Sequence, residues 1–452
     1  MNAKIATASA SERKVALATI IGTTVEWYDF FIYASAAGLV FKQLFFAPAG
    51  NELATLIAFA SVGVSFLFRP LGAFLAGHFG DRIGRRAMLV ITLVLMGAST
   101  SLIGLLPTYE SIGIMAPILL IFLRILQGIS AGGEWGGAVL MAVEHAPEGK
   151  RGRFGAFPQI GVPLGLLLAS AVLALMSGVI SPGEQFVEWG WRVPFLLSIG
   201  LLFLGHWIRR SVDESPVFEE IKERKASSRT PVIDLFKNHA LLVLLAALVF
   251  AGNSALGYMT TGGFIQNYTT DPTGPLQMDR TPILMVVTVA SAIWLLFTWL
   301  SGCWSDKIGR RNMYIIGWGV QFIGVFALFP LVNMGTWQSV LAALSILSVG
   351  IGLTYGAQSA FYSELFPASI RFSGVSISYA LGAILGGAFS PMIAAALIAR
   401  TGSTESVVYY LAGMTLIGLI ATLLLRDRSN IPLGPQHEAE QSVSPIYGRD
   451  RA

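Results

Sequence analysis

Apolar runs of about 20 residues, the length at which a helix crosses a hydrocarbon core of about 30 Å, recur along the whole of this chain. Twelve are counted, near 15–41, 53–79, 88–106, 112–143, 154–180, 193–208, 240–264, 282–304, 313–332, 340–363, 373–398 and 406–425. An ordinary soluble domain carries about 25% charged residues. This chain carries 12%, with 54% apolar, and so reads as an all-α membrane protein. The first run reads as a span and not as a cleaved leader, because Glu26 and Asp29 interrupt it and no small-residue cleavage site follows. A single cysteine, Cys303, excludes an internal disulfide and a thiolate metal site; no metal or other cofactor is expected.

A short basic turn occurs twice between these runs. Gly77-His78-Phe79-Gly80-Asp81-Arg82-Ile83-Gly84-Arg85-Arg86 returns 225 residues later as Gly302-Cys303-Trp304-Ser305-Asp306-Lys307-Ile308-Gly309-Arg310-Arg311. A second pattern, Glu144-x-x-Pro147-x-x-x-Arg151, returns after 220 residues as Glu364-x-x-Pro367-x-x-x-Arg371. Two independent patterns at nearly one period, close to half the chain, indicate a duplicated half. The expected organisation is a polar tail at 1–14, six spans at 15–208, a polar linker at 209–237, six spans at 238–426 and a polar, Pro-containing, mobile tail at 427–452. Lys and Arg accumulate on the cytoplasmic side of membrane proteins. With the N-terminus inside, 24 of the 30 fall in tails, linker or inner turns; Lys42, Arg192, Arg280 and Arg400 lie outside, and Arg69 and Arg124 within spans. Both termini are then cytoplasmic, and this inner-surface bias explains the net charge of +4 without a nucleic-acid partner.

Polar side chains inside the runs are few, and at bilayer depth each must face protein or water. A helix turns about 100° per residue, so Glu26, Asp29 and Tyr33 share one face of the first span. The fourth span carries Arg124, Gln127, Ala131, Glu134 and Ala138 along one stripe. Gly132, Gly133, Gly136 and Gly137 lie elsewhere on it as a seam for close packing. The fifth has Pro158, Gln159 and Pro163, a bend beside a cavity, and the second half offers Asn253, Tyr258, Gln321, Tyr355, Gln358, Tyr362 and Tyr379.

Twelve spans, a central linker and the twice-used Gly-x-x-x-Asp-Arg/Lys-x-Gly-Arg-Arg turn resemble the major facilitator superfamily of secondary transporters over nearly the whole chain. More specifically, Glu26-Trp27-Tyr28-Asp29-Phe30, Arg69-Pro70-Leu71-Gly72, Arg124-x-x-Gln127-Gly128, Gly132-Gly133-Glu134, Trp189-Gly190-Trp191-Arg192-x-Pro194-Phe195 and Glu214-Ser215-Pro216-x-Phe218 are similar to the metabolite:proton symporter family. The resemblance implies two pseudo-symmetric six-helix bundles around a central site near the midplane. It also implies uptake of a small carboxylated or zwitterionic solute with a proton across the cytoplasmic membrane, by a chain that works as a monomer in lipid. It does not select among citrate, 2-oxoglutarate, shikimate, proline and glycine betaine. Ser305 and Lys307 stand in the second turn where the first has Gly80 and Arg82, the weaker copy usual for a second half.

Candidate roles follow from the chemistry of these side chains. A guanidinium stays protonated when buried, so Arg124 needs an anion: an acid of the protein, with Asp29 or Glu26 the expected partner, or the carboxylate of the solute. Gln127, Tyr33, Gln159, Tyr258, Tyr355 and Gln358 are further candidates for solute contact. A buried acid whose partner changes between conformations can take up and release a proton. Glu26, Asp29 and Glu134 are therefore the coupling candidates, with helix–helix hydrogen bonding the alternative. Asp81, Arg82, Arg85, Arg86, Asp306, Lys307, Arg310 and Arg311, with Glu144, Arg151, Glu364 and Arg371 at the same level, are expected to hold the cytoplasmic side closed in one state and to part in the other. Asp81 can bind both a neighbouring helix N-terminus and an Arg from another span. Arg69, about three turns from Asp81, reads as a structural partner or as a ligand. Rival readings are a proton-driven exporter in the same fold and a receptor with little transport. An enzyme is not expected, for the sequence offers no His cluster, Ser-His-acid set or phosphate-binding Gly loop.

Overall fold

The structure, a computed structural model, describes residues 2–83, 85–132, 134–209, 231–261 and 263–448, with side chains described for 16–72, 75, 91–132, 134–200, 203, 235–257, 259 and 263–448. Among the described residues twelve helical columns cross the molecule. The first six are α1 (Asn2–Ala36), α2 (Asn51–Ile83), α3 (Arg85–Leu105), α4 (Met115–Ala131, resuming as Glu134–Glu144), α5 (Arg151–Leu175) and α6 (Arg192–Arg209). The second six are α7 (Pro231–Thr261), α8 (Arg280–Ile308), α9 (Arg310–Val332), α10 (Trp337–Leu365), α11 (Arg371–Gly382, resuming as Ser390–Thr401) and α12 (Glu405–Leu424). Among the described residues nine helices are long and apolar enough to cross a bilayer, and Ile91–Leu105 of α3 is apolar over a shorter length. With α1 and α6 these make the twelve expected spans.

Helix composition explains where the columns depart from the apolar runs. No Gly or Pro occurs between Asn2 and Ile21, so α1 runs through the expected polar tail. Most of the expected linker, 210–230, lies outside the described residues, and 231–237 already belongs to α7. α4 breaks at Gly132, and a glycine costs a helix about 1 kcal/mol relative to Ala. α7 ends at Thr261, and Gly263, which caps the short helix Phe264–Thr270, has a φ of +81° in the left-handed region that glycine enters without a Cβ clash.

Small residues set how closely the columns approach. A Cβ at Gly72 of α2 would collide with the Ile129 carbonyl of α4, and one at Gly128 with Ser65 of α2. The seam between α2 and α4 therefore lies at Gly128, a turn before the expected glycine cluster. Gly136 instead abuts Ser376 of α11, so that glycine serves the contact between halves. α5 also meets α8 closely, Gly152 and Ala156 lying against Gly302. At the end of the molecule where α1 stops, Lys42 pairs with Asp271, Asn51 donates to Thr273 at 3.1 Å and Asn267 donates to the Gly38 carbonyl at 3.1 Å. These bonds close that end between the halves. Burial alone would raise the Asp271 carboxyl, but hydrogen bonds from Lys42 and Thr273 hold it below its ordinary value.

Candidate functional site

Glu26, Asp29 and Tyr33 follow one another on α1, Arg124 and Gln127 lie on α4, and all five are buried. Arg124, 1% exposed, lays its guanidinium over the Tyr33 ring at 4.1 Å and the Phe30 ring at 5.0 Å. Such contacts are worth about 2 kcal/mol when desolvated. Its Nη2 donates to the Val62 carbonyl at 3.1 Å and its Nη1 to Gln127 Oε1 at 2.9 Å. Gln127 Nε2 donates onward to Thr100 Oγ1 of α3 at 2.7 Å, and Thr100 Oγ1 donates to Asp29 Oδ2 at 2.9 Å. Ser198 of α6 donates to Asp29 Oδ1 at 2.6 Å. Arg124 thus reaches Asp29 through two neutral side chains, where the sequence reading expects a direct ion pair. Thr100 and Ser198 make this arrangement, and neither stands out in the sequence.

Glu26 Oε1 lies 3.8 Å from Arg69 Nη2 of α2. Arg69 is 4% exposed and stands over the Phe66 ring at 4.4 Å and the Trp27 ring at 5.4 Å. Glu134 is buried and opens the second part of α4, where a helix N-terminus favours a carboxylate; the break at Gly132 puts that N-terminus at this depth. Two voids of about 10 Å³ each lie here, each with room for about one water. One is lined by Phe30, Ser65, Met96, Gln127 and both Arg69 and Arg124. The other lies between the halves, lined by Arg69, Trp135 and Gly136 on one side and Ser376, Tyr379 and Ala380 on the other. Arg69 stands in the wall of both. Neither void has the size of a metabolite, so the helices must part to admit one.

Across the junction of the halves, Trp135 stacks on Tyr379 at 3.6 Å and 11°, and Tyr379 on Phe250 at 4.2 Å and 20°. Trp135 Nε1 donates to Gln159 Oε1 at 3.1 Å, and Gln159 Nε2 to the Tyr355 carbonyl at 3.3 Å. Gln159 therefore bridges α5 and α10. Gln358 is buried with neither amide atom hydrogen-bonded among the described residues. The Tyr258 side chain lies outside the described residues. Asn253, Gln321 and Thr354 form a hydrogen-bonded knot within the second half, at 2.7 to 3.0 Å. Among the described residues no group of three His, Cys, Asp or Glu side chains converges as a metal site would require.

The basic face, where α8 turns into α9, is closed by exchanged partners. Glu144 of the first half meets Arg371 of the second at 3.4 Å, and Glu364 of the second meets Arg151 of the first at 3.6 Å. Arg310 adds a 3.2 Å contact to Glu364. Asp306 accepts from the backbone N–H of Gly152 at 2.7 Å and of Arg153 at 2.9 Å, at the N-terminus of α5. Its guanidinium partner among the described residues is Arg310, at the start of α9, at 2.9 Å. Two residues of the turn stand apart from this lattice. Lys307 is exposed, and Arg311 donates to the Leu423 carbonyl at 3.0 Å, at the end of α12. The side chains of Asp81, Arg82, Arg85 and Arg86 lie outside the described residues.

The tail, expected to be mobile, folds over this face as far as residue 448. Arg371 Nη1 donates to the Leu433 carbonyl at 3.0 Å and Nη2 to Gln441 Oε1 at 3.0 Å. Arg151 donates to the Ile431 carbonyl at 2.8 Å. Gln441 Nε2 donates to the carbonyls of Pro432 and Gly434 at 2.7 and 2.9 Å, and Arg428 to the carbonyls of Gln441 and Glu440 at 2.9 and 2.7 Å. Polar composition and prolines suggested a free chain. Buried guanidiniums that need acceptors explain why it docks. Asp427 accepts from the Arg311 N–H at 3.1 Å. Burial would raise its carboxyl, but the Ser429 and Arg311 hydrogen bonds, with the Arg310 charge, hold it below its ordinary value.

The sequence profile of the Major Facilitator Superfamily matches residues 19–384 and 256–449. The chain belongs to that superfamily. It is 40% identical over 423 residues to the inner membrane metabolite transport protein YhjE of Escherichia coli K12, covering 93% of this chain and 96% of that one. It is 38% identical to the shikimate transporter of the same organism, over 92% and 94% of the two chains. A putative proline/betaine transporter of Staphylococcus aureus COL is 30% identical, over 91% and 88%. Among solved structures, the proton:xylose symporter XylE superposes with a TM-score of 0.73 at 20% identity, over 92% of this chain and 95% of that one. The fold is thus the twelve-span fold of the superfamily, two six-helix bundles, and this member is a multi-pass membrane transporter and not an enzyme.

Proposed function

We propose that this transporter imports a small carboxylated metabolite together with a proton, by alternating access across the cytoplasmic membrane, with both termini inside. The observation that carries the reading is the run of hydrogen bonds from Arg124 through Gln127 and Thr100 to Asp29. With Asp29 ionised, Thr100 donates to it, Gln127 Nε2 donates to Thr100, and Gln127 Oε1 faces the guanidinium. A proton on Asp29 reverses the run: the acid donates to Thr100, Thr100 donates to a turned Gln127 amide, and its NH₂ then lies beside Arg124. Two donors side by side need an acceptor, and a carboxylate supplies one with charge. Proton and anion thus favour each other, and neither alone leaves the buried charges balanced. The relatives named for metabolites, shikimate and proline/betaine support the solute class, and the xylose neighbour is a proton symporter.

On this reading Glu144–Arg371 and Arg151–Glu364 are the cytoplasmic gate, with Asp306 on the α5 N-terminus as its hinge point. The test is uptake of labelled shikimate, 2-oxoglutarate, proline and glycine betaine into liposomes under an inward proton gradient. Accumulation is expected in the wild type and lost in Asp29→Asn. If it survived in each of Asp29→Asn, Glu26→Gln and Glu134→Gln, proton coupling through these acids would be wrong.

A further inference from the structure

Arg69 is the buried cation that the relay leaves unused. It is 4% exposed, its Nε has no hydrogen-bond partner among the described residues, and Glu26 stands beyond hydrogen-bonding distance at 3.8 Å. A guanidinium has five N–H donors, and leaving even one of them, here Nε, without an acceptor in a low-dielectric interior is costly. Arg124 differs, because its two terminal nitrogens already donate to Gln127 and Val62. Opposite Arg69, across the void between the halves, Ser376 Oγ is also buried without a hydrogen-bond partner among the described residues. The stacked rings of Trp135 and Tyr379 form a flat wall beside both.

Resting on the carboxylate reading above, we propose that Arg69 and Ser376 form a carboxylate subsite shared between the two halves. The void between them has room for about one water, which is also about the room that a single carboxylate oxygen takes. Arg69 supplies charge and a planar fork, and Ser376 supplies a hydroxyl donor from α11. The void containing Arg124 is lined by first-half residues alone and keeps its walls when the halves rock. The one lined by Arg69 and Ser376 changes with every rocking movement. The solute's anionic group, once between these residues, ties α2 to α11, and losing it removes that tie. The flat wall of Trp135 and Tyr379 favours a compact ring or an unbranched body over a bulky one.

The test compares acids with their uncharged methyl esters on the purified full-length chain. Thermal stabilisation by sodium shikimate, 2-oxoglutarate and citrate, each against its ester, gives an acid-over-ester affinity ratio. Arg69→Gln is expected to weaken acid binding ten- to a hundredfold and leave ester binding unchanged, so that the ratio collapses. Arg69→Lys retains part of the ratio, and Ser376→Ala lowers it about threefold to tenfold. These two variants carry the test if Arg69→Gln does not fold. A residue that only held helices together would move acid and ester alike. If the wild type prefers acids and both Arg69→Lys and Ser376→Ala keep the whole preference, the subsite is refuted while the carboxylate reading stands. If the wild type shows no preference for any acid over its ester, the carboxylate reading falls and the subsite with it.

Discussion

Replacing Thr100 with Val removes one hydroxyl and almost no volume, so it isolates the link between the solute side and the proton side of the site. That hydroxyl is the acceptor for Gln127 Nε2 at 2.7 Å and the donor to Asp29 Oδ2 at 2.9 Å. A hydrogen bond to a charged group contributes about 1.5–3 kcal/mol, and a buried amide left without its partner costs about 1–3 kcal/mol. Ser198 still holds Asp29 Oδ1 at 2.6 Å, so the carboxylate keeps its place and the loss falls on communication. At about 1.4 kcal/mol for each factor of ten, a loss of 1.5–3 kcal/mol corresponds to about a ten- to hundredfold fall in the rate of proton-driven uptake. Thr100→Ser retains both bonds and stays near wild type. The assay is solute affinity against pH, measured by tryptophan fluorescence or radioligand binding on purified protein. On the proposed reading, wild-type affinity is expected to vary with pH because proton and solute act on one hydrogen-bonded run. In Thr100→Val that dependence is expected to flatten, although Glu26 and Tyr28 still lie near Asp29. A Thr100→Val protein whose solute affinity follows pH as the wild type does would refute the relay, because the linkage would then travel elsewhere.

Removing residues 427–452 takes the Leu433, Gln441 and Ile431 acceptors from Arg371 and Arg151. The truncated chain should melt at lower temperature and alkylate its single cysteine faster, since Cys303 lies on α8 near Arg153 of α5; unchanged alkylation would show that the tail bears no load. Gly136→Val sets a side chain against Ser376, an overpacking that costs about 1–3 kcal/mol in a fixed core. It should favour parted halves, seen as faster Cys303 alkylation and slower uptake, and an alkylation rate equal to wild type would count against the closure. The Asp427 carboxyl is held below its ordinary value, so its contribution is present above the unfolded pKa of about 3.9 and is lost as pH falls through the lower folded value. Thermal midpoints taken from pH 6 to pH 3 should fall more steeply for the wild type than for Asp427→Asn, and parallel curves would remove Asp427 from the docking of the tail.

The spans were readable because apolar run length is a property of local sequence, and the depth of Arg124, Asp29 and Glu26 followed from their place in those runs. Thr100 and Ser198 were not readable. Small hydroxyls in apolar helices usually bond a carbonyl one turn back, as Thr100 also does to Met96 at 3.0 Å, so their presence carries no signal of a carboxylate nearby. The pairing of Glu144 with Arg371 required a third dimension for the same reason: the base that the repeated motif sets beside it is Arg151. The tail misled because polar, Pro-containing composition describes its own chain and not the acceptors that Arg151 and Arg371 require. Gly128 was hidden among many glycines, and only the position of Ser65 distinguishes it from Gly136.

The exchange of partners on the basic face gives the duplicated motif a physical use. In the closed arrangement each half lends an acid to the other's base, Glu144 to Arg371 and Glu364 to Arg151. Breaking a buried pair is costly, about 3–5 kcal/mol, when one partner is removed and a charge is left alone. Parting two halves that each carry both signs avoids that outcome. Glu144 and Arg151 flank one loop, Glu364 and Arg371 flank the other, and Arg310 already stands 3.2 Å from Glu364 within the second half. On the proposed gate reading, separation would leave each acid with a base of its own half close in sequence, and one set of ion pairs would be exchanged for another. On that reading the difference between closed and parted states would be small enough for a bound solute and a proton to decide it, which is what a ligand with modest differential affinity can accomplish. A single unduplicated acid–base pair at this level would strand both charges on opening and would hold the halves shut.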